Sequence, residues 1–171
     1  RGSSTLAGRL VMDHGEPLAR PLGTVTHVFP SAQALAGADP GRIGMPRARG
    51  RALNGLVTAL ANGELVLDAG VERDHARRQL LALTGIGPWT SEYIAMRALR
   101  DPDAYLPSDL GVRRALEALG HDGQPAAAEA VAERWRPYRA YAVQHLWASL
   151  PVSPQAMGTS TPPNAANQIA A

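Results

Sequence analysis

The sequence predicts an all-α domain, and three observations carry that reading. Apolar residues recur at spacings of three and four, the period of a helix with one buried face. No apolar/polar alternation long enough for a strand appears. Proline and glycine stand where helices would start and stop, as at Pro46, Pro88, Pro125, Pro137 and Asn62-Gly63.

The elements follow in order. Residues 3–13 read as a helix with Leu6, Leu10 and Val11 on one face. Gly15 to Pro30 reads as a connection, punctuated by Pro17, Pro21, Gly23 and Pro30. Ser31 is a suitable N-cap for a short helix from Ala32 to Ala36, which Asp39-Pro40-Gly41 breaks. Pro46 opens a longer helix to about Ala61, with Leu53, Leu56, Val57 and Leu60 as its stripe and Asn62-Gly63 as its stop. Glu72 to Leu83 reads as a helix packing through Ala76, Leu80 and Leu83.

After Gly85-Ile86-Gly87, a helix from Pro88 to Leu99 has two apolar faces. Ile94, Ala95, Ala98 and Leu99 form one; Trp89, Tyr93 and Met96 form the other. Such a helix is deeply buried or lines a pocket. A loop to Ser108 leads to a helix from Asp109 to Leu119, packing through Val112, Ala115, Leu116 and Leu119. Pro125 to Trp135 and Pro137 to about Leu150 are two further helices, the last with Val143, Leu146, Trp147 and Leu150 on one stripe. The domain therefore spans 1–150. Residues 151–171 have small and polar composition without period and read as a disordered tail.

The chain of 171 residues is 45% hydrophobic and 19% charged, enough for one domain with a real core. It has no cysteine, which excludes disulfides and thiolate metal sites. No apolar run approaches the roughly 20 residues of a membrane span, and no signal peptide is visible, so the expected compartment is the cytoplasm. The first residue is Arg1 rather than Met, so a longer product is expected. All 17 basic residues are arginine. Arg42, Arg47, Arg49 and Arg51 cluster at one helix start, where a solvated face and a phosphate-facing patch are both open readings.

Chemistry concentrates between Leu80 and Asp109. One helix closes on Gly85-Ile86-Gly87 and the next opens on Pro88. Glycines let a backbone approach a phosphate closely, and successive N–H groups at a helix start form an anion site. An ordinary helix–helix turn often contains glycine too. Asp109 follows Gly87 by 22 residues, behind Tyr105-Leu106-Pro107-Ser108. It reads either as a helix cap or as a lone catalytic carboxylate.

The run Leu83-Thr84-Gly85-Ile86-Gly87-Pro88-Trp89-Thr90-Ser91-Glu92-Tyr93, with Tyr105-Leu106-Pro107-Ser108-Asp109, resembles the helix-hairpin-helix DNA glycosylases of the 3-methyladenine DNA glycosylase II type. The likeness runs from about Leu6 to Leu150 and includes Phe29-Pro30, Ile43-Gly44-Met45-Pro46-Arg47 and Trp135-Arg136-Pro137-Tyr138-Arg139. Thr84 departs from the proline usual in the hairpin. The resemblance implies a base-excision repair enzyme for alkylated bases such as 3-methyladenine, acting as a monomer on double-stranded DNA. It implies that Asp109 is catalytic, that Trp89, Tyr93 and Trp147 line the base pocket, and that Gly85, Ile86, Gly87 and Thr90 hold the DNA backbone. For Trp147, core packing is the other open reading.

It further implies no required cofactor, with a structural Na+ or K+ on the main-chain carbonyls of Leu81, Leu83 and Ile86. Family members that also cut the strand carry a lysine two residues after the second hairpin glycine. Here that residue is Trp89, and the chain has no lysine to form a Schiff base, so hydrolysis without lyase activity follows unless an N-terminal amine substitutes. The family has additional structure ahead of the stretch matching Leu6, so an N-terminally truncated domain is expected. A non-catalytic DNA-binding fragment is the competing reading.

Overall fold

The computed structural model describes residues 2–39, 44–68 and 70–151. The readings placed on Pro40, Gly41, Arg42 and Ile43, and on 152–171, lie outside those residues. The described residues form eight α-helices, one 3-10 turn and one two-stranded sheet.

The first helix, α1, spans Gly2–His14 and buries Leu10. It ends where the N–H of Gly15 donates to the Val11 carbonyl, 2.8 Å. A Cβ on Gly15 would lie 2.5 Å from that oxygen and 2.6 Å from the Val28 carbonyl oxygen, so only glycine fits.

The segment after it corrects the sequence reading. It is an antiparallel hairpin, β1 (Pro17–Leu22) with β2 (Val25–His27), irregular between its end pairs. Only Leu18 and His27 of its strand residues are half-buried; the rest are exposed. A hairpin with no buried face has no reason to alternate apolar and polar residues, so its usual signal is missing.

The helix α2 spans Ala32–Leu35, and Ser31 caps it by accepting from the Ala34 N–H at 3.1 Å. The long helix α3 spans Arg47–Ala61, with Pro46 at its N-cap and Gly63 in a left-handed conformation just past its end. Next, α4 spans Arg73–Ala82; the Glu72 carboxylate caps it through the N–H groups of Asp74 and His75. That pairing holds the Glu72 carboxyl below the usual range. The remaining helices are α5 (Pro88–Arg97), α6 (Leu110–Ala118), α7 (Pro125–Ala132) and α8 (Arg139–Ser149).

Three boundary details differ from expectation. Leu119 lies past α6 and is exposed rather than packed, because the helix ends on Ala118 and Gly120 takes a positive φ. Ala98 is also exposed. The predicted Pro125–Trp135 helix tightens to a 3-10 turn over Glu133–Trp135.

Three apolar clusters set the layout. Leu10, Leu35, Ala38 and Val57 join α1, α2 and α3. Ala59, Leu65 and Leu80 join α3 and α4, with Leu83, Ile86 and Ile94 packed on them. The largest gathers α5, α6, α7 and α8 around Ala95, Leu106, Val112, Leu116 and Val143. The α4–α5 hairpin thus sits at the seam of two clusters. No helix among the described residues is long and apolar enough to cross a membrane.

Candidate active site

The α4–α5 connection is built for close approach. Gly85 has φ +88°, and a Cβ there would stand 2.7 Å from the Ala52 Cβ of α3. Glycine is therefore required twice, by conformation and by packing. The Ile86 side chain packs inward, and its N–H donates to the Leu83 carbonyl at 3.1 Å. Ile86 is thus an anchor and not a free donor, which narrows the predicted donor set. The N–H groups of Gly85, Gly87, Trp89 and Thr90 donate to no backbone carbonyl among the described residues. Gly87 has φ −98° with nothing within 4 Å of a Cβ position, so open space faces it. Arg47, Arg49 and Arg51 are exposed on the same α3 that meets Gly85, and the first turn of α3 holds no acid.

The carbonyls of Leu81 and Ile86 accept from no backbone N–H, and that of Leu83 accepts only from Ile86. No basic residue occupies the last turn of α4. Oxygen-only donors at the negative end of a helix fit a hard monovalent cation. Among the described residues no cluster of three or more His, Cys, Asp or Glu could hold a metal.

The loop ahead of α6 is clamped at several points. Ala104, Tyr105 and Leu106 are buried, and the Tyr105 hydroxyl donates to the Ala128 carbonyl at 3.0 Å. Burial pushes the Tyr105 pKa up to about 12. Asp103 accepts from Arg136 at 2.6 Å and twice from Arg139 at 2.8 Å. Partial burial opposes its charge, but the Arg139 hydrogen bond and Coulomb attraction outweigh that and hold its carboxyl below the usual range. Arg77 of α4 bridges Asp101 and Glu92. Burial opposes its charge, yet these two carboxylates raise its pKa above the ordinary value. A cleft of about 500 Å³ lies alongside, lined by Trp89, Pro107 and these paired charges.

Asp109 emerges from that loop as the N-cap of α6. Its Oδ1 accepts from the Val112 N–H at 2.9 Å and from the Trp147 indole N–H at 2.8 Å. Its Oδ2 accepts from the Trp89 indole N–H at 3.0 Å. Three donors from three elements fix the carboxylate, leaving lone-pair capacity on Oδ2. Asp109 is thus a helix cap, and the cap bond uses only one of its two carboxylate oxygens. Trp89 stacks on Tyr93 with ring centres 5.2 Å apart, and Tyr93 meets Trp147 at 6.2 Å with a 43° tilt. Asp109, Trp89, Tyr93 and Trp147 form one constellation, and Trp147 is half-buried and also packs against the largest apolar cluster.

Two residues of the constellation escaped the sequence reading. A Cβ on Gly111 would lie 2.9 Å from Trp147 Cδ1 and 3.1 Å from Asp109 Oδ1, so glycine admits the indole to the carboxylate. A glycine in the first turn of a predicted helix was the available signal. The Arg97 guanidinium lies 5.6 Å from the Tyr93 ring centre and 5.9 Å from that of Trp147. Its i, i+4, i+8 spacing from Trp89 and Tyr93 could have found it.

No protein-family model matches the chain. Over 150 residues it is 53% identical to the probable bifunctional transcriptional activator/DNA repair enzyme AlkA of Mycobacterium tuberculosis, covering 88% of this chain and 30% of that protein. Over 122 residues it is 36% identical to DNA-3-methyladenine glycosylase 2 of Escherichia coli, covering 70% of this chain and 42% of that one. The structure of 3-methyladenine DNA-glycosylase from Archaeoglobus fulgidus matches with TM-score 0.72 at 24% identity, over 84% of this chain and 50% of that one. The chain belongs to the helix-hairpin-helix DNA glycosylase superfamily. It spans less than half the length of the two curated relatives. In helix-hairpin-helix terms, α4 and α5 are the paired helices, Gly85-Ile86-Gly87 is the hairpin, and Asp109 caps the helix that follows.

Proposed function

We propose that this domain hydrolyses the N-glycosidic bond of alkylated bases, such as 3-methyladenine, in duplex DNA. The observation that carries the reading is the Asp109 carboxylate, gripped by two indole N–H groups inside an aromatic cluster. A module that only bound DNA would have no use for that arrangement.

The chemistry follows from the groups present. The C1′–N bond breaks and its electron pair leaves with the base. An alkylated purine already carries positive charge, so it departs neutral without a strong acid. The sugar gains positive charge, which the fixed Asp109 carboxylate stabilises. Water adds to C1′ and loses a proton, leaving an abasic sugar. One carboxylate suffices where O-glycosidases use two. The rings of Trp89, Tyr93 and Trp147 suit a flipped, electron-poor ring by stacking and cation–π attraction.

The free N–H groups at Gly85, Gly87 and Thr90 form the phosphate anchor, with Arg47, Arg49 and Arg51 adding positive charge beside it. The carbonyls of Leu81, Leu83 and Ile86 would hold a structural Na+ or K+, which pins the hairpin and takes no part in bond cleavage. Trp89 stands where a lyase needs its amine, so the strand stays whole.

The test uses a duplex treated with a methylating agent. Released 3-methyladenine is measured by chromatography, and the strand is examined before and after alkali. The expected result is base release with an intact strand until alkali is added, and no adduct trapped by borohydride. Tight binding to an abasic-site duplex without base release would favour the DNA-binding module instead.

A further inference from the structure

Trp89, Tyr93 and Arg97 stand at i, i+4 and i+8 on α5, so their side chains rise along one helix face. Trp147 of α8 leans toward the upper part of that stack, and its ring and that of Tyr93 form a wedge. The Arg97 guanidinium lies near both rings, at 5.6 Å and 5.9 Å from their centres. Among the described residues it pairs with no carboxylate. A surface arginine released from any acid would ordinarily extend into water. This one is planar, cationic and weakly hydrated, which makes it the side chain nearest in character to a positively charged heterocycle.

We propose that Arg97 covers the mouth of the wedge formed by Tyr93 and Trp147, and that an extruded base stacks there only after Arg97 has left. The inference rests on the reading of those rings as the base-binding faces. It gives the pocket a closed and an open form. The apparent affinity for any base is then lowered by the fraction of molecules in which Arg97 is out. That reduction precedes base entry, so it is the same for an alkylated base and an ordinary one. Discrimination stays with the rings and Asp109, while every base, alkylated or not, occupies the pocket for a smaller share of the time. Arg97 is exposed and ends its helix, so its side chain can swing to solvent without unpacking the core.

The test is a titration of free 3-methyladenine and of free adenine, followed by tryptophan fluorescence, in the parent chain and in Arg97→Ala. A guanidinium held by exposed to partly desolvated rings predicts that removal tightens binding by about 2- to 30-fold. The factor should be equal for the two bases. Affinity for an abasic-site duplex should not change. Equal base affinities in the parent and the variant would overturn the role of Arg97 and leave the pocket reading standing. Weaker base binding in the variant would make Arg97 a ligand of the base rather than its competitor, and also overturn it. Weaker duplex binding with a shallower salt slope would make it a phosphate contact, again overturning it. Failure of either base to bind either protein would remove the aromatic wedge as a base site, and this inference with it. Arg97→Gln keeps the stem and supplies the same comparison if Arg97→Ala lowers the melting midpoint.

Discussion

The two hairpin glycines make different demands, and substituting them separately distinguishes folding from DNA contact. At Gly85 an alanine meets a left-handed backbone, which costs about 1–2 kcal/mol for an L-residue. Its Cβ also falls 2.7 Å from the Ala52 Cβ on a buried helix position, and overpacking of that kind costs about 1–3 kcal/mol. Gly85→Ala should therefore lose about 2–5 kcal/mol of stability. For a domain of this size that is a fall of roughly 4–20 °C in melting midpoint. At Gly87 nothing stands within 4 Å of a Cβ, and φ is −98°. Gly87 is the N-cap of α5, where valine is the poorer cap, so Gly87→Val should cost no more than about 1 kcal/mol in stability. It would, however, stand in the space where a phosphate approaches the free N–H groups. Losing one charge-assisted hydrogen bond of about 1.5–3 kcal/mol lowers affinity roughly 10- to 150-fold, whatever the DNA sequence. Thermal melts and fluorescence anisotropy with an abasic-site duplex read the two effects separately. A Gly87→Val protein that melts normally and binds DNA undiminished would refute the hairpin as anchor.

Three other perturbations bear on the same account. Gly111→Ala should lower stability, because the close contact with Trp147 outweighs the gain in helix propensity, and should cut base release at least roughly tenfold by pushing Trp147 off Asp109; full activity in the folded variant would show that the contact is dispensable. The Asp103 carboxyl is held below its ordinary 3.8 by Arg139 and Arg136, so its contribution is fully present above that value and disappears as pH falls through the lower folded value. Melting curves of the parent and Asp103→Asn should accordingly differ at pH 7 and converge once the pH has fallen through the lower folded value; a gap that persists in acid would mean that the loss comes from packing. Replacing Na+ and K+ by tetramethylammonium at constant ionic strength should speed amide exchange at Gly85 to Gly87 and weaken DNA binding, and unchanged exchange would rule out the carbonyl cation site.

Much of this arrangement could be read from the chain because it obeys local rules. The glycines before Pro88, the cap at Glu72 and the stripe on α3 declare themselves through backbone permissiveness, side-chain acceptors and period. Asp109 could be located but its surroundings could not. That Trp89 and Trp147 turn their N–H groups onto it depends on how α5 and α8 pack, separated by more than forty residues of sequence. The β-hairpin was illegible for the opposite reason, since strands exposed on both sides leave no pattern. Gly111 and Arg97 carried faint signals, a helix glycine and a continued i+4 series, whose meaning depended on a partner from α8.

Base release by Asp109→Asn tests the central claim most directly. Asparagine keeps the volume and the cap oxygen that accepts from Val112, so folding and binding to an abasic-site duplex should persist. It removes the negative charge that stabilises the sugar cation. Release of 3-methyladenine from alkylated duplex, measured under single-turnover conditions with saturating protein, should fall to background. Release at the parental rate by a folded Asp109→Asn protein would take Asp109 out of the mechanism.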